Sequence, residues 1–194
     1  VPRVSCGIRR SECGGDKWML VARLGAVKPP IQVFMRFVDS WGLQAPALVS
    51  DVHHLSLCSV FQSDADFVHA WCWAPRGIGR WCFNISRWSM DAHRGKEGPK
   101  AAVWIHIPGI PLAFQNVALL QDIGDSLGGF LCMDSRTFNG EDLVVAWICV
   151  ELDLSSPPSD SLCLKVQGLF EWSQDVVFLV FPRFFPSCLL QGHS

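Results

Sequence analysis

Cys188 and His193 stand at the C-x4-H spacing of a zinc knuckle, with Gly192 just before the histidine. A knuckle of the C-x2-C-x4-G-H-x4-C type holds Zn²⁺ with three thiolates and one imidazole in a tetrahedral shell. Here Phe185 fills the position of the first thiolate, and the sequence ends before a final cysteine. Two ligands leave the shell half filled, so Cys188 and His193 read as knuckle remnants only, and neither a structural metal nor a cofactor is expected. Such knuckles usually follow nucleic-acid-binding modules, and that directs attention to the basic residues upstream.

Those residues are Arg76, Arg80, Arg87, Arg94, Lys96 and Lys100, opposed only by Asp91 and Glu97 and accompanied by Trp81 and Trp88. Cations interleaved with indoles are the composition of a track that pairs phosphates and stacks bases of a single strand. The competing reading is an ordinary solvated linker. Arg80 and Arg87 are an odd number of residues apart, so on one regular strand they point to opposite faces. Direct readout by a sheet face also lacks its usual rings: the first strand offers Leu20 or Val21, and the third only Phe61 near its end. Trp18, Trp81, Phe83 and Trp88 could stack bases, although aromatics alternating on strands more commonly fill a core.

Signals for catalysis are thin, and no enzymatic activity is expected. Asp122 with Asp125, and Glu151 with Asp153, share element faces as metal-binding pairs would, but no histidine stands at ligand spacing to either. His53-His54 falls in an expected turn. Gly77-Ile-Gly79 turns the chain without forming a phosphate loop, and no G-x-S-x-G or Walker sequence occurs. The sequon Asn84-Ile85-Ser86 lies within an expected strand, where it would be inert.

The 194 residues are 49% hydrophobic, ample for one full domain or two small ones. The formal charge of −2 hides an asymmetry: residues 1–100 carry 13 Lys/Arg against 8 Asp/Glu, and residues 101–194 carry 3 against 10. Two surfaces with different partners are implied, RNA or single-stranded DNA for the basic half and a protein for the acidic half. Nine cysteines are scattered without a C-x-x-C, and Cys58, Cys82, Cys132, Cys149 and Cys163 lie in apolar runs, as buried thiols in a reducing compartment would. The apolar stretch 143–150 is too short to span a bilayer, so no membrane partner is expected. These features place the chain inside the cell, in nucleus or cytoplasm.

The elements that must position these residues follow from periodicity and punctuation. Residues 1–16 read as a loose lead-in. Over 17–88 the expected order is a strand from Trp18, a helix after Pro29-Pro30 stopped at Gly42, strands at 47–52 and 55–61, a helix capped by Ser63, and a strand from Arg80 to Trp88. This β-α-β-β-α-β order is the ferredoxin-like plan of RRM domains. Residues 89–101 read as a basic linker. Residues 102–182 form a second, smaller α/β segment: a strand ended by Pro108-Gly-Ile-Pro111, a helix from Phe114 to Leu127, then strands at 130–134, 143–152, 162–170 and 176–181, making an antiparallel sheet. Residues 183–194 read as the knuckle remnant, of which 185–194 are expected to be a mobile tail or else Phe184 and Phe185 to pack on the second segment. The expected class is therefore α+β.

Several blocks occur in a fixed order: Trp18-Met-Leu-Val-Ala-Arg-Leu-Gly25, Phe37-Val-Asp-Ser-Trp-Gly-Leu43, Ser59 to Val68, Gly79-Arg-Trp-Cys-Phe83, Trp88, Val103-Trp-Ile-His-Ile-Pro-Gly-Ile-Pro-Leu112, Leu119 to Gly128 and Ala146 to Leu154. In these the chain, from about Trp18 onward, resembles the plant DUF4283 family, a retrotransposon-derived domain often followed by a CCHC knuckle. The W-x-h-x-h-P-G-I-P-L block is the most specific. The resemblance implies an RRM-like module, a second α/β segment and weak, largely sequence-independent binding of RNA or single-stranded DNA. The alternative is a domesticated protein-interaction module that has lost such binding.

Overall fold

A computed structural model describes residues 18–142, 144–166 and 170–192. The expected lead-in at 1–16 and the remnant His193 lie outside the described residues. The described residues form a mixed α+β protein with several antiparallel sheets and few helices, divided into two units: 18–101 with 182–192, and 102–181. No helix among the described residues is long and apolar enough to cross a membrane.

In the first unit the elements are β1 (Met19–Leu24), α1 (Ile31–Asp39), β2 (Leu48–His53), β3 (Ser56–Val60), α2 (Asp64–Trp73), β4 (Gly77–Ile78) and β5 (Trp81–Arg87). They form one sheet in the order β2-β3-β1-β5-β4, and every recorded pairing is antiparallel. Local chemistry sets the helix ends. Pro30 precedes α1 with φ near −53°, its ring fixing the backbone where the first helical N–H groups need no partner. Gly42 takes φ +77° shortly after the helix ends. Ser63 caps α2, its hydroxyl accepting from Asp66 N at 3.1 Å.

Register then divides the sheet into two faces. Leu20, Ala22 and Leu24 of β1 lie beside Arg87, Ile85 and Phe83 of β5 and point toward the helices. There Phe83 meets Phe34 edge-on at 5.7 Å, and Phe67 and Trp71 of α2 lie 5.4 Å apart. Burying Phe34 completely contributes roughly 2–3 kcal/mol. Met19, Val21 and Arg23 point to the opposite face, with Ser56, Cys58 and Val60 of β3 and Asn84 and Ser86 of β5 as their neighbours in register.

The second unit holds β6 (Lys100–Pro108), whose first two residues belong to the first unit, α3 (Val117–Leu127), β7 (Gly129–Met133), the short α4 (Ser135–Asn139), β8 (Val145–Asp153), β9 (Ser161–Val166), β10 (Phe170–Asp175) and β11 (Val177–Phe178). Its main sheet runs β11-β6-β8-β7, and β9 and β10 form a separate two-stranded ribbon. Val103, Ile105 and Ile107 alternate into its core, and Gly124 lets α3 approach Phe130, where a Cβ would stand 2.9 Å from the ring. Three expectations are corrected here. Phe114 lies in a 3-10 turn and not in the helix, because Asn116 caps α3 by accepting from Leu119 N. The strand expected at 162–170 ends at Val166, and that expected at 176–181 is only Val177–Phe178. Cys58, Cys132 and Cys149 are buried as expected, but Cys82 and Cys163 are exposed. Cys163 belongs to the narrow ribbon, and Cys82 pairs with Gly77 at the sheet margin, so neither has a second layer over it.

Candidate nucleic-acid interface

The helix-free face of the first sheet is where an RRM would stack bases, and here it is covered. Its central positions hold Val21 and Cys58 in place of rings, and Ala92 closes over them, with Met19, Val52, Val60 and Trp88 packed around the cluster. Ala92 belongs to a 3-10 turn, Ala92–Arg94, inside the stretch expected to be a linker. That expectation is corrected. Residues 89–98 fold onto the sheet because Trp88 and Ala92 supply apolar area that would otherwise face water.

The C-terminal residues complete the cover. Strands β12 (Phe184–Phe185) and β13 (Leu190–Gln191) pair as a hairpin belonging to the first unit, where a mobile tail was one expectation. Leu189 at φ +56° and Gly192 at φ +65° shape it, and a Cβ on Gly192 would stand 2.9 Å from Asn84 Nδ2. Gln191, only 4% exposed, is the fastening. Its carbonyl accepts from Arg23 Nη2 at 2.9 Å and Asn84 Nδ2 at 3.0 Å. Its side-chain amide donates to the carbonyls of Gly98 and, at 3.1 Å, Lys100. Its backbone N–H donates to the carboxylate of Glu97. Glu97, also 4% exposed, lies 3.1 Å from Arg23 Nε in an ion pair not aligned as a hydrogen bond, and its N–H donates to Leu189 O at 2.7 Å. Lys96 Nζ donates to Cys188 O at 2.8 Å. The residues read in the sequence as a knuckle remnant form a hairpin in which Cys188 lends a carbonyl and Phe185 a strand position.

The eight residues expected to contact nucleic acid are consequently dispersed. Arg76 donates to Trp71 O at 2.8 Å, closing the end of α2. Arg87 lies over Phe67 and Trp71, at 5.4 and 5.8 Å from their ring centres, on the helix side. Trp88 points to the other face and is part of the cover. Arg94 is exposed beside Asp91 at 3.4 Å, Lys96 holds the hairpin, and Lys100 is exposed at the start of β6. A continuous track from Arg76 to Lys100 is not formed.

Arg80 and Trp81 do come together. The Arg80 guanidinium lies 5.1 Å above the Trp81 ring, at the turn between β4 and β5. These two residues, Cys82 and the exposed loop Gly25-Ala26-Val27 line a groove of about 470 Å³. No acidic side chain is among those lining residues. That the loop after β1 faces Arg80 has no local signal, because it depends on β5 lying beside β1.

Other candidates have structural duties. Trp18 Nε1 donates to Asp64 at 3.2 Å, and Phe83 is core. Burial pushes the Asp64 carboxyl above its ordinary range, against the opposing pull of Trp18 and Arg87. Asp66 accepts from the N–H groups of Gln44 and Ala45 at 2.8 and 3.2 Å. Asp125 accepts from Phe130 N at 2.9 Å, where the paired-carboxylate reading wanted a free ligand. The rings of His53 and His54 lie 4.0 Å apart, tilted by 53°, and the sequon Asn84 is bonded to Gln191. No protein-family model, curated protein or solved structure matches the chain.

Proposed function

We propose that this chain is a non-enzymatic nucleic-acid-binding protein that holds RNA or single-stranded DNA weakly and with little sequence preference through its first unit. The observation that carries the reading is the partition of charge between the units. Residues 10–101 and 182–194 contain 12 Lys/Arg against 8 Asp/Glu. Two of those acids, Asp66 and Glu97, are buried in internal bonds, whereas Arg76, Arg80, Arg94 and Lys100 are exposed. The outward charge is therefore more positive than the count, and phosphate pairing needs only that. With the helix-free sheet face covered, base readout by β1 and β3 is not part of this proposal.

The strand order β2-β3-β1-β5 and the intervening helices support an RRM-like, ferredoxin-like plan for this unit. The DUF4283-like blocks from Trp18 to Leu154 add a retroelement origin to the proposal, resting on those blocks alone. A phosphate-driven binder must weaken with salt. For three contacts on a single strand the slope of log K on log salt is about −2, so raising salt from 50 to 200 mM should weaken binding roughly twentyfold. Anisotropy of a labelled oligo(U) at those two concentrations tests this, and no binding at 50 mM would overturn it.

A second reading has its own observation. Residues 102–181 carry 2 Lys/Arg against 10 Asp/Glu, and Val177, Leu179 and Val180 are exposed at and just beyond the edge strand β11. An edge with unmatched backbone groups and apolar side chains suits strand addition by a protein partner. Retained folding with no affinity for any polynucleotide would favour it.

A further inference from the structure

We propose that the groove between the Gly25-Ala26-Val27 loop and the β4–β5 turn holds one nucleotide of a single strand, Arg80 pairing its phosphate and Trp81 stacking its base. This rests on the nucleic-acid reading above and assigns it a place. The volume of about 470 Å³ falls within the range of small-ligand sites. It has room for one unstacked base, which points to a single strand, whose bases are free to leave the stack. Arg80 seated over the Trp81 ring is held by cation–π attraction, which fixes its planar fork while its N–H donors stay available for a phosphate. Stacking on an indole accepts any base, since every base has a π face, and this accounts for binding without sequence preference.

The opposite wall is made for close approach. At Gly25 a Cβ would meet nothing within 4 Å, so the backbone there borders open space. Val27 is 62% exposed and gives an apolar edge against which a base or sugar can rest. No carboxylate is among the described lining residues, and Arg80 and Trp81 share this concave site.

Cys82 supplies a reporter, because it is exposed and lines the groove, while the exposed Cys163 in the other unit serves as an internal control. The experiment is N-ethylmaleimide labelling of the full chain with and without saturating oligo(dT), read by mass spectrometry, together with anisotropy titrations of the parent, Arg80→Ala and Trp81→Ala. The expected result is labelling of Cys82 slowed several-fold with Cys163 unchanged. Affinity should fall roughly five- to hundredfold in Trp81→Ala, the range found for loss of one base–aromatic stack, and an equal-length duplex should bind more weakly. Should Trp81→Ala fail to fold, Cys82 protection in the parent chain still decides. Oligo(dT) bound with Cys82 and Cys163 labelled at their free rates would overturn the groove and leave the nucleic-acid reading standing. No binding at low salt would overturn both.

Discussion

Replacing Gln191 by alanine removes the fastening of the C-terminal hairpin without touching the helix-side core. The backbone of residue 191 can keep its bonds to Arg23, Asn84 and Glu97, so the loss is confined to the amide that donates to Gly98 O and Lys100 O. Each such bond is worth about 0.5–1.5 kcal/mol net, and a buried carbonyl left unpaired costs about 1–3 kcal/mol more. Water reaching the exposed Lys100 would relieve part of that cost, which places the expected destabilisation at about 2–3 kcal/mol. With a urea dependence of about 2 kcal/mol per molar, the midpoint of this unit's unfolding falls by about 1–1.5 M. Tryptophan fluorescence reports it, since Trp88 lies under the cover. A midpoint moved by less than about 0.2 M would refute the claim that Gln191 fastens the hairpin to the sheet.

Gly192→Ala should destabilise the same unit by about 1–3 kcal/mol, since it combines φ +65° with a Cβ 2.9 Å from Asn84 Nδ2; an unchanged melting temperature would contradict this. Burial pushes the Cys58 thiol up to about 11, so near pH 8 only about one molecule in a thousand carries the thiolate, and native alkylation should mark Cys82 and Cys163 while sparing Cys58 until unfolding. For Asp64 the folded carboxyl titrates above its unfolded value, so the fold binds more protons and stability falls as pH rises through that window. Its stabilising contribution is full below the ordinary carboxylate range. Asp64→Asn should flatten stability measured upward from the ordinary carboxylate range, and an unaltered pH profile would show that another group is responsible.

The parts of the fold that were legible are those fixed by neighbours in sequence. Ser63 announces α2 because a hydroxyl three residues before an N–H is a local geometry, and Pro29-Pro30 and Gly42 frame α1 for equally local reasons. Alternation in β1 and β5 separates two faces, yet alternation cannot say which face a third layer will cover. Trp88 and Ala92 were therefore indistinguishable from solvated linker residues, and Glu97 looked like surface charge. Its bond to Gln191 spans 94 residues and leaves no periodic trace. The same applies to the groove, where Gly25 and Arg80 meet only through strand order, with β5 laid beside β1. The hairpin was hidden for a related reason: Phe185 and Leu190 pair across a turn whose shape depends on Leu189 at positive φ, which no residue type announces.

The most direct test of the central claim is the salt dependence of oligo(dT) affinity for the parent chain and for the Arg80→Ala/Arg94→Ala double variant, both residues being exposed on the first unit. Each lost phosphate contact lowers the steepness of log K against log salt by about 0.7 for single strands. The account predicts measurable binding by the parent and a slope shallower by about 1.4 in the variant. Identical slopes, or a parent chain that binds nothing at 50 mM salt, would contradict it.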